Sequence, residues 1–294
     1  MSWALRVAGL GVIYGGGCDR CPERTGPAAG AADPGLDAVD ASGPGASRVV
    51  CDRCGSVVAA WDVSFEVAPG ESLGVIGESG SGKSTVLRTI AGDLTPWAGA
   101  AWLAALDGGA TDLFTLDRAA RRRLRAGDLG MVYQDPAEGL DLEISAGGNV
   151  IEPLTAAGWR HFVRMRSRAA ELLGRTEVPV DRMDDLVHTF SGGMRQRVQI
   201  AKALATSPGV VLLDEPTSGL DASVAAGVLD LIRELSEELG LATVVVSHDF
   251  QVMHMLARRV LVMHHGRVVE EGLTDQLLED PQHPYSQRLV AAAR

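Results

Sequence analysis

Apolar positions along this chain fall into two patterns that predict different elements. Continuous apolar runs at Ser72–Ile76, residues 210–216 and residues 243–249 are typical of parallel strands covered on both faces. Apolar residues at helical spacing predict a long helix over Ala222–Leu239. We therefore expect an α/β fold with a mostly parallel sheet, and a smaller helical lobe over residues 134–189.

A glycine-rich loop follows the first of these strands. Residues 77–84 read GESGSGKS and lead into a helical stretch over residues 85–91. Glycines allow the backbone to approach a ligand closely, and free N–H groups at the start of a helix favour bound phosphate. In this motif Lys83 would reach the β- and γ-phosphates, and the Ser84 hydroxyl would bind Mg²⁺. The sequence predicts a nucleoside triphosphate site, and a glycine-rich turn without a ligand is the alternative.

Polar residues at the ends of other strands extend this predicted site. Asp214 would coordinate Mg²⁺ beside Ser84, and Glu215 would polarise the attacking water. His248 would donate a hydrogen bond to the γ-phosphate, and Gln134 would contact the metal or the water. Each of these residues has an alternative interpretation when it is considered alone. Asp214 and Glu215 could form an acidic turn, His248 could be structural, and Gln134 could be an ordinary glutamine.

A second anion-binding helix start is predicted far from the glycine-rich loop. Residues 190–197 read FSGGMRQR before a helical repeat, which places Ser191, Gly192 and Gly193 at a helix N-terminus with exposed N–H donors. A plain N-cap serine is the alternative. Because the chain has one phosphate loop and one such helix start, we expect the helix start to face the nucleotide of another copy.

Composition narrows the range of partners. The 294 residues carry a net charge of −11 and 4% aromatic residues, which argues against direct nucleic-acid binding. The basic run over residues 118–125 is predicted to be the solvated face of a helix. No stretch approaches the roughly 20 apolar residues that cross a bilayer, and the N-terminal residues lack an export leader. We expect a cytoplasmic protein that reaches the membrane only through a spanning partner.

All four cysteines of the chain lie in two CDRC pairs. Paired Cys-x2-Cys elements at Cys18, Cys21, Cys51 and Cys54 predict a structural Zn²⁺ site of four thiolates. Unliganded thiols and an iron–sulfur centre are the alternatives. The intervening residues 22–47 are rich in Gly, Ala, Pro and Asp, so we expect a flexible loop there.

In this order along the chain, the motifs resemble those of the ATP-binding-cassette family of P-loop ATPases, from residue 61 to the C-terminus. The resemblance implies ATP hydrolysis with Mg²⁺ by a dimer, in which each ATP lies between one glycine-rich loop and the partner's Ser191 segment. It implies catalytic roles for Lys83, Gln134, Glu215 and His248. The nucleotide-binding residues that it implies are Tyr14, Gly77, Ser79, Gly80, Ser81, Gly82, Lys83, Ser84, Thr85, Gln134, Ser191, Gly192, Gly193, Asp214 and Asp221.

Tyr14 would stack on adenine, although a tyrosine packed into the core is a rival interpretation. Only one cassette is present, so the resemblance implies a homodimer or pairing with a sister cassette. The expected segments are residues 1–17 with the first strand and adenine edge, 18–54 with the cysteine insertion, 55–133 with the ATPase core, 134–190 as the helical lobe, 191–272 with the Ser191 helix start, acidic pair and His248, and 273–294 as a helical tail.

Two subfamilies are similar to this chain. FSGGMRQR and the tail DPQHPYSQRLV resemble oligopeptide and dipeptide importer ATPases, which would imply membrane permease subunits as partners. The stretches ISAGGNV (144–150), AAGWRHF (156–162) and VPVDRMDDL (178–186) resemble the K-type ATP-binding subunit of the carbon–phosphorus lyase system for phosphonate breakdown. The second resemblance would imply the soluble lyase core as the partner, and we favour it.

Overall fold

Two β-sheets and the helices around them form the chain, which a computed structural model describes for residues 2–19, 21 and 49–293. The predicted loop over residues 22–47 lies outside the described residues. The strands are β1 (Leu5–Tyr14), β2 (Val49–Val50), β3 (Val57–Val67), β4 (Ser72–Ile76), β5 (Ala98–Leu103), β6 (Leu129–Val132), β7 (Val210–Asp214), β8 (Ala242–Ser247), β9 (Arg259–His264) and β10 (Arg267–Leu273). The α-helices are α1 (Lys83–Ile90), α2 (Arg118–Gly127), α3 (Pro136–Gly139), α4 (Ala146–Ala156), α5 (Phe162–Arg175), α6 (Gly192–Ala203), α7 (Ala222–Leu239), α8 (Phe250–Leu256), α9 (Thr274–Glu279) and α10 (Pro284–Ala293).

The larger sheet has six strands in the order β10-β9-β4-β8-β7-β6. Five of them run parallel, and β10 is antiparallel to β9. Strand β7 is buried on both faces, since Val211 and Leu213 pack in one core and Leu212 packs in the other. Burial of both faces explains the continuous apolar runs. The predicted mostly parallel sheet is confirmed.

The carboxyl ends of three motif-bearing strands lie side by side in this sheet. Ile76 of β4 pairs with Ser247 of β8, and Val246 of β8 pairs with Asp214 of β7. The residues that follow these strands therefore meet at one edge of the sheet. This topology brings the glycine-rich loop, His248 and Glu215 together.

A separate antiparallel sheet, in the order β2-β3-β1-β5, packs over helix α1. No pattern of neighbouring residues in the sequence predicts this second sheet. Register shifts interrupt the pairing of β1 with β3 at several positions. Apolar residues from both sheets and from α1 share one core, including Leu10, Leu73 and Leu87. The glycine-rich loop is thereby held between two sheets.

Helices α4, α5 and α6 pack against one another beside the edge strand β6 and share the second core with the parallel sheet. Helix α7 has the bounds expected from its apolar spacing, and it ends at Gly240 in the left-handed conformation. Among the described residues, no helix combines the length and the apolar character that crossing a bilayer requires.

Candidate nucleotide site

The glycine-rich loop borders a cleft of about 790 Å³. Helix α1 begins at Lys83, and the Lys83 ammonium donates hydrogen bonds to the carbonyl oxygens of Gly77 (2.7 Å) and Glu78 (2.9 Å). Gly82 has φ of +102°, and a Cβ there would lie 2.0 Å from the Ala59 carbonyl oxygen. Only glycine fits at this position, so the motif residue is fixed by the packing of β3 against the loop.

Behind the loop, Ser84 contacts the predicted metal ligand of β7. The Ser84 hydroxyl donates to Oδ1 of Asp214 at 2.6 Å, and the Asp214 side chain is 1% exposed. Burial raises the pKa of Asp214, and burial also lowers the pKa of Lys83, against the opposing pull of Glu215 and Asp214. Two adjacent oxygen donors of this kind fit Mg²⁺, which prefers oxygen ligands.

Glu215 and His248 contact each other at the next two strand ends. Nδ1 of His248 lies 2.8 Å from Oε2 and 3.0 Å from Oε1 of Glu215. Glu215 has φ of +46°, a strained conformation for a residue with a side chain, and its N–H donates to the Val246 carbonyl at 2.9 Å. The backbone bond from β8 thus holds the Glu215 carboxylate where it lines the cleft.

Two further predicted residues line the cleft from other elements. Gln134, after β6, donates from Nε2 to the Ser218 hydroxyl at 3.1 Å. Tyr14, at the end of β1, is 43% exposed, and its hydroxyl lies 3.2 Å from the Thr85 hydroxyl. The alternative of a tyrosine packed into the core is therefore wrong.

The structure brings most of the predicted nucleotide-site residues to this one cleft. Those that line it are Tyr14, Gly77, Ser79, Gly80, Gly82, Lys83, Ser84, Thr85, Gln134, Glu215 and His248. Ser81 and Asp214 are buried next to it.

Ser191, Gly192, Gly193 and Asp221 are not among the described residues that line the cleft. The exposed Ser191 caps α6, and its hydroxyl accepts from the Met194 N–H at 3.3 Å. Gly192 and Gly193 are the first two residues of that helix. Asp221 occupies the N-cap position of α7 without a side-chain capping bond.

A family comparison decides what kind of site this is. The model of the family described as ABC transporter matches residues 61–218, which is more than half of the chain. This chain belongs to the ATP-binding-cassette family. The family's ATP-binding domains hydrolyse ATP with Mg²⁺ and act as dimers. The predicted ATPase fold and activity are confirmed.

Comparisons with individual proteins show which members of the family this chain is similar to. The putative phosphonates utilization ATP-binding protein PhnK of Escherichia coli (strain K12) is 51% identical over 231 residues, covering 79% of this cassette and 90% of the relative. A putative peptide import ATP-binding protein of Brucella abortus (strain 2308) is 37% identical over 240 residues, covering 81% and 72%. The dimeric structure of a post-hydrolysis state of the ATP-binding cassette MJ0796 bound to ADP and Pi matches with a TM-score of 0.71 and 26% identity, over 92% of this cassette and 98% of that chain.

The C-terminal helix of the cassette contributes residues that sequence reasoning missed. Leu289 of α10 lines the cleft. The hydroxyl of the buried Tyr285 accepts a hydrogen bond from the Glu78 N–H in the glycine-rich loop at 3.0 Å. The ring of Tyr285 stacks on His264 with centroids 3.8 Å apart. The tail motif DPQHPYSQRLV indicates a subfamily, and nothing local in it indicates a contact with the loop.

The four cysteines form one cluster, called here the thiol cluster: Cys18, Cys21, Cys51 and Cys54. Their sulfur atoms all lie within 4.8 Å of one another, and three pairs are 3.5 to 3.8 Å apart. A tetrahedral zinc site with Zn–S bonds of about 2.3 Å has sulfur atoms about 3.8 Å apart. The residues present therefore fit a tetrathiolate metal site.

The thiols differ in their ease of ionisation. Burial raises the pKa of Cys21 to about 12, whereas hydrogen bonds from Ser56 lower the pKa of Cys54 to about 6. A bound cation would favour the thiolate at every ligand.

A second cleft, of about 720 Å³, opens between α2 and the helical lobe. We call it the basic cleft. Its cationic lining residues are Arg118, Arg121, Arg122, Arg125 and Lys202, and Glu138 and Glu152 also border it. Arg118 and Arg122 are exposed. The basic run is helical, as predicted, but it faces a concave surface and not only open solvent.

Proposed function

We propose that this cassette is the ATP-hydrolysing subunit of a phosphonate-utilisation system, and that it acts as a dimer on the soluble carbon–phosphorus lyase core. The observation that carries the proposal is the 51% identity over 231 residues to the Escherichia coli phosphonates utilization protein. The peptide import relative is 37% identical over a similar length. The three stretches after Gln134 that resemble the K-type subunit are part of the same likeness.

Within one subunit, the cleft residues would act on the γ-phosphate of ATP. Lys83 would exchange its bonds to the loop carbonyls for the phosphate oxygens, and its depressed pKa would rise again beside that negative charge. Ser84 and Asp214 would hold Mg²⁺, which neutralises phosphate charge when bound. Glu215 would accept a proton from the attacking water, and His248 at 2.8 Å would orient that carboxylate.

The second half of each site would come from the partner copy. Ser191 and the two glycines after it are outside the cleft of their own subunit, and the first N–H groups of α6 lack helical acceptors. Such a helix start favours an anion. The dimeric structure of the cassette MJ0796 bound to ADP and Pi, with a TM-score of 0.71, supports a dimer. In such a dimer we expect neither subunit to hydrolyse ATP efficiently alone.

A second candidate is the nucleotide-binding subunit of a membrane importer. The peptide import relatives favour it. The basic cleft, which adjoins Tyr133 and the segment after Gln134, offers a docking region for either candidate. Both candidates place a partner in the same region, and they differ in whether that partner spans a membrane.

Co-purification separates the two candidates. The tagged cassette would be expressed with its neighbouring genes and purified once without detergent and once from solubilised membranes. We expect lyase-core subunits to elute with it in the detergent-free preparation. Association only with membrane proteins would refute the lyase assignment and support the importer.

We also propose that the thiol cluster holds a structural zinc ion. The sulfur separations support it, as does the presence of four thiolate donors, the number that a structural tetrahedral site uses. Elemental analysis of protein purified without a histidine tag should give about one zinc per chain. Less than about half an equivalent would contradict the site.

A further inference from the structure

The thiol cluster lies where the ends of three strands meet. Cys18 follows the end of β1, Cys51 directly follows β2, and Cys54 lies just before β3. Strand β2 is only two residues long, so its own pairing holds it weakly. A metal ion bound by the four thiolates would therefore tie the weakly paired β2 to the ends of β1 and β3.

The same strand ends form a wall of the nucleotide cleft. Val57 of β3 pairs with Tyr14 of β1 on one side and with Val50 of β2 on the other. Tyr14 and Val57 both line the cleft. The partly exposed Tyr14 side chain lies at the end of its strand, so its position depends on what fixes that end, together with the contact of its hydroxyl with Thr85.

Ser56 connects the thiol cluster to this wall. Its buried hydroxyl donates to the Gly15 carbonyl at 3.0 Å and accepts from the Gly17 N–H at 3.1 Å. Its own carbonyl accepts from the Cys51 N–H at 2.8 Å. Gly17 has φ of +65°, and a Cβ there would lie 2.7 Å from the Trp97 ring. The short connection from Tyr14 to Cys18 is thus held at both ends and along its length.

We propose that a metal ion in the thiol cluster fixes the wall formed by Tyr14 and Val57, so that metal occupancy sets the affinity for ATP through the base and not through the phosphates. The inference rests on the proposed zinc site and on the proposed nucleotide site. The glycine-rich loop has its main anchor in α1, which packs in the core between the sheets, and Gly82 packs on Ala59 further along β3 than the wall. Loss of the ion would loosen the wall and leave the phosphate cradle in place.

The test compares two ligands that share the phosphates but differ in the base. Dissociation constants for ATP and for inorganic tripolyphosphate, both with Mg²⁺, would be measured on zinc-loaded full-length protein, on chelator-treated protein and after zinc is added back. We expect zinc removal to weaken ATP binding about five- to tenfold, within the range of one base–aromatic stack. Tripolyphosphate binding should not change, and added zinc should restore ATP binding. The Cys18→Ser variant should behave like the chelated protein.

A Tyr14→Ala background completes a double-mutant cycle. In it, zinc removal should no longer change ATP affinity, because the residue that the ion positions is gone. The inference is overturned if zinc removal leaves ATP affinity unchanged, weakens both ligands equally, or still changes ATP affinity in Tyr14→Ala. It is also overturned if zinc removal abolishes the near-UV circular dichroism of the folded protein, or if the protein takes up no zinc. Zinc-loaded protein that binds neither ligand would instead refute the nucleotide site.

Discussion

The hydrogen bond between the C-terminal helix and the glycine-rich loop gives a prediction whose size follows from the structure. Tyr285→Phe removes only the hydroxyl that accepts from the Glu78 N–H at 3.0 Å, and it keeps the ring stacked on His264. Burial raises the pKa of Tyr285 to about 12, so the neutral phenol makes this bond across the physiological pH range. Loss of one such bond costs about 1 kcal/mol of unfolding free energy.

For a chain of this size, that loss lowers the melting temperature by about 2–4 °C. If the full amount also bears on the loop, ATP affinity falls by at most about fivefold. The hydrolysis rate at saturating ATP should stay the same, because Lys83 and Glu215 are not altered. Differential scanning fluorimetry, ATP titration and steady-state phosphate release measure these three quantities.

Tyr133→Phe is the matched control. The Tyr133 hydroxyl is also buried and donates to Asp93 at 2.9 Å, but it contacts the basic cleft side of the cassette and not the loop. The Tyr133 hydroxyl also accepts a hydrogen bond from Arg125, so we expect a loss of melting temperature at least as large as that of Tyr285→Phe, with unchanged ATP affinity. The reasoning is refuted if Tyr285→Phe melts and binds ATP like the wild type, or if both variants lose ATP affinity equally.

Three further changes test other parts of the site. Glu215→Gln should bind ATP but hydrolyse it slowly and accumulate a closed dimer in size-exclusion chromatography with ATP, and unchanged turnover would remove Glu215 from the mechanism. Asp214→Asn should stabilise the nucleotide-free protein at neutral pH while abolishing Mg²⁺-dependent ATP binding. The pKa of Asp214 is raised in the folded state, so ionising it opposes folding, and stability rises as the pH falls below that raised pKa. The melting-temperature advantage of Asp214→Asn should therefore shrink on acidification, and an advantage independent of pH would contradict this cause. Arg122→Glu should reduce co-purification with the partner at unchanged basal ATPase activity. Arg123→Glu, on the same helix but outside the basic cleft, should co-purify with the partner as the wild type does. Equal amounts of co-purified partner for both variants would exclude the basic cleft as the docking surface.

The sequence by itself determined the parts of this cassette whose chemistry is local. The glycine-rich loop, the apolar strands before it and before Asp214, and the helix over Ala222–Leu239 follow from spacings of a few residues. Whether a segment forms such a loop, strand or helix depends on the backbone conformation that its residues allow and on which of its faces are buried. Both properties are visible in the residue types at neighbouring positions. The same holds for the start of α6 at the predicted Ser191 cap.

The tertiary structure alone decided which distant residues meet. Ser84 and Asp214 are 130 residues apart and share a 2.6 Å hydrogen bond, and Glu78 meets Tyr285 across 207 residues. The second, antiparallel sheet and the meeting of three strand ends at the thiol cluster also depend on strand pairing between separate segments. Contacts of this kind are set by packing of whole sheets against α1 and the helical lobe, and no short-range spacing in the chain encodes them.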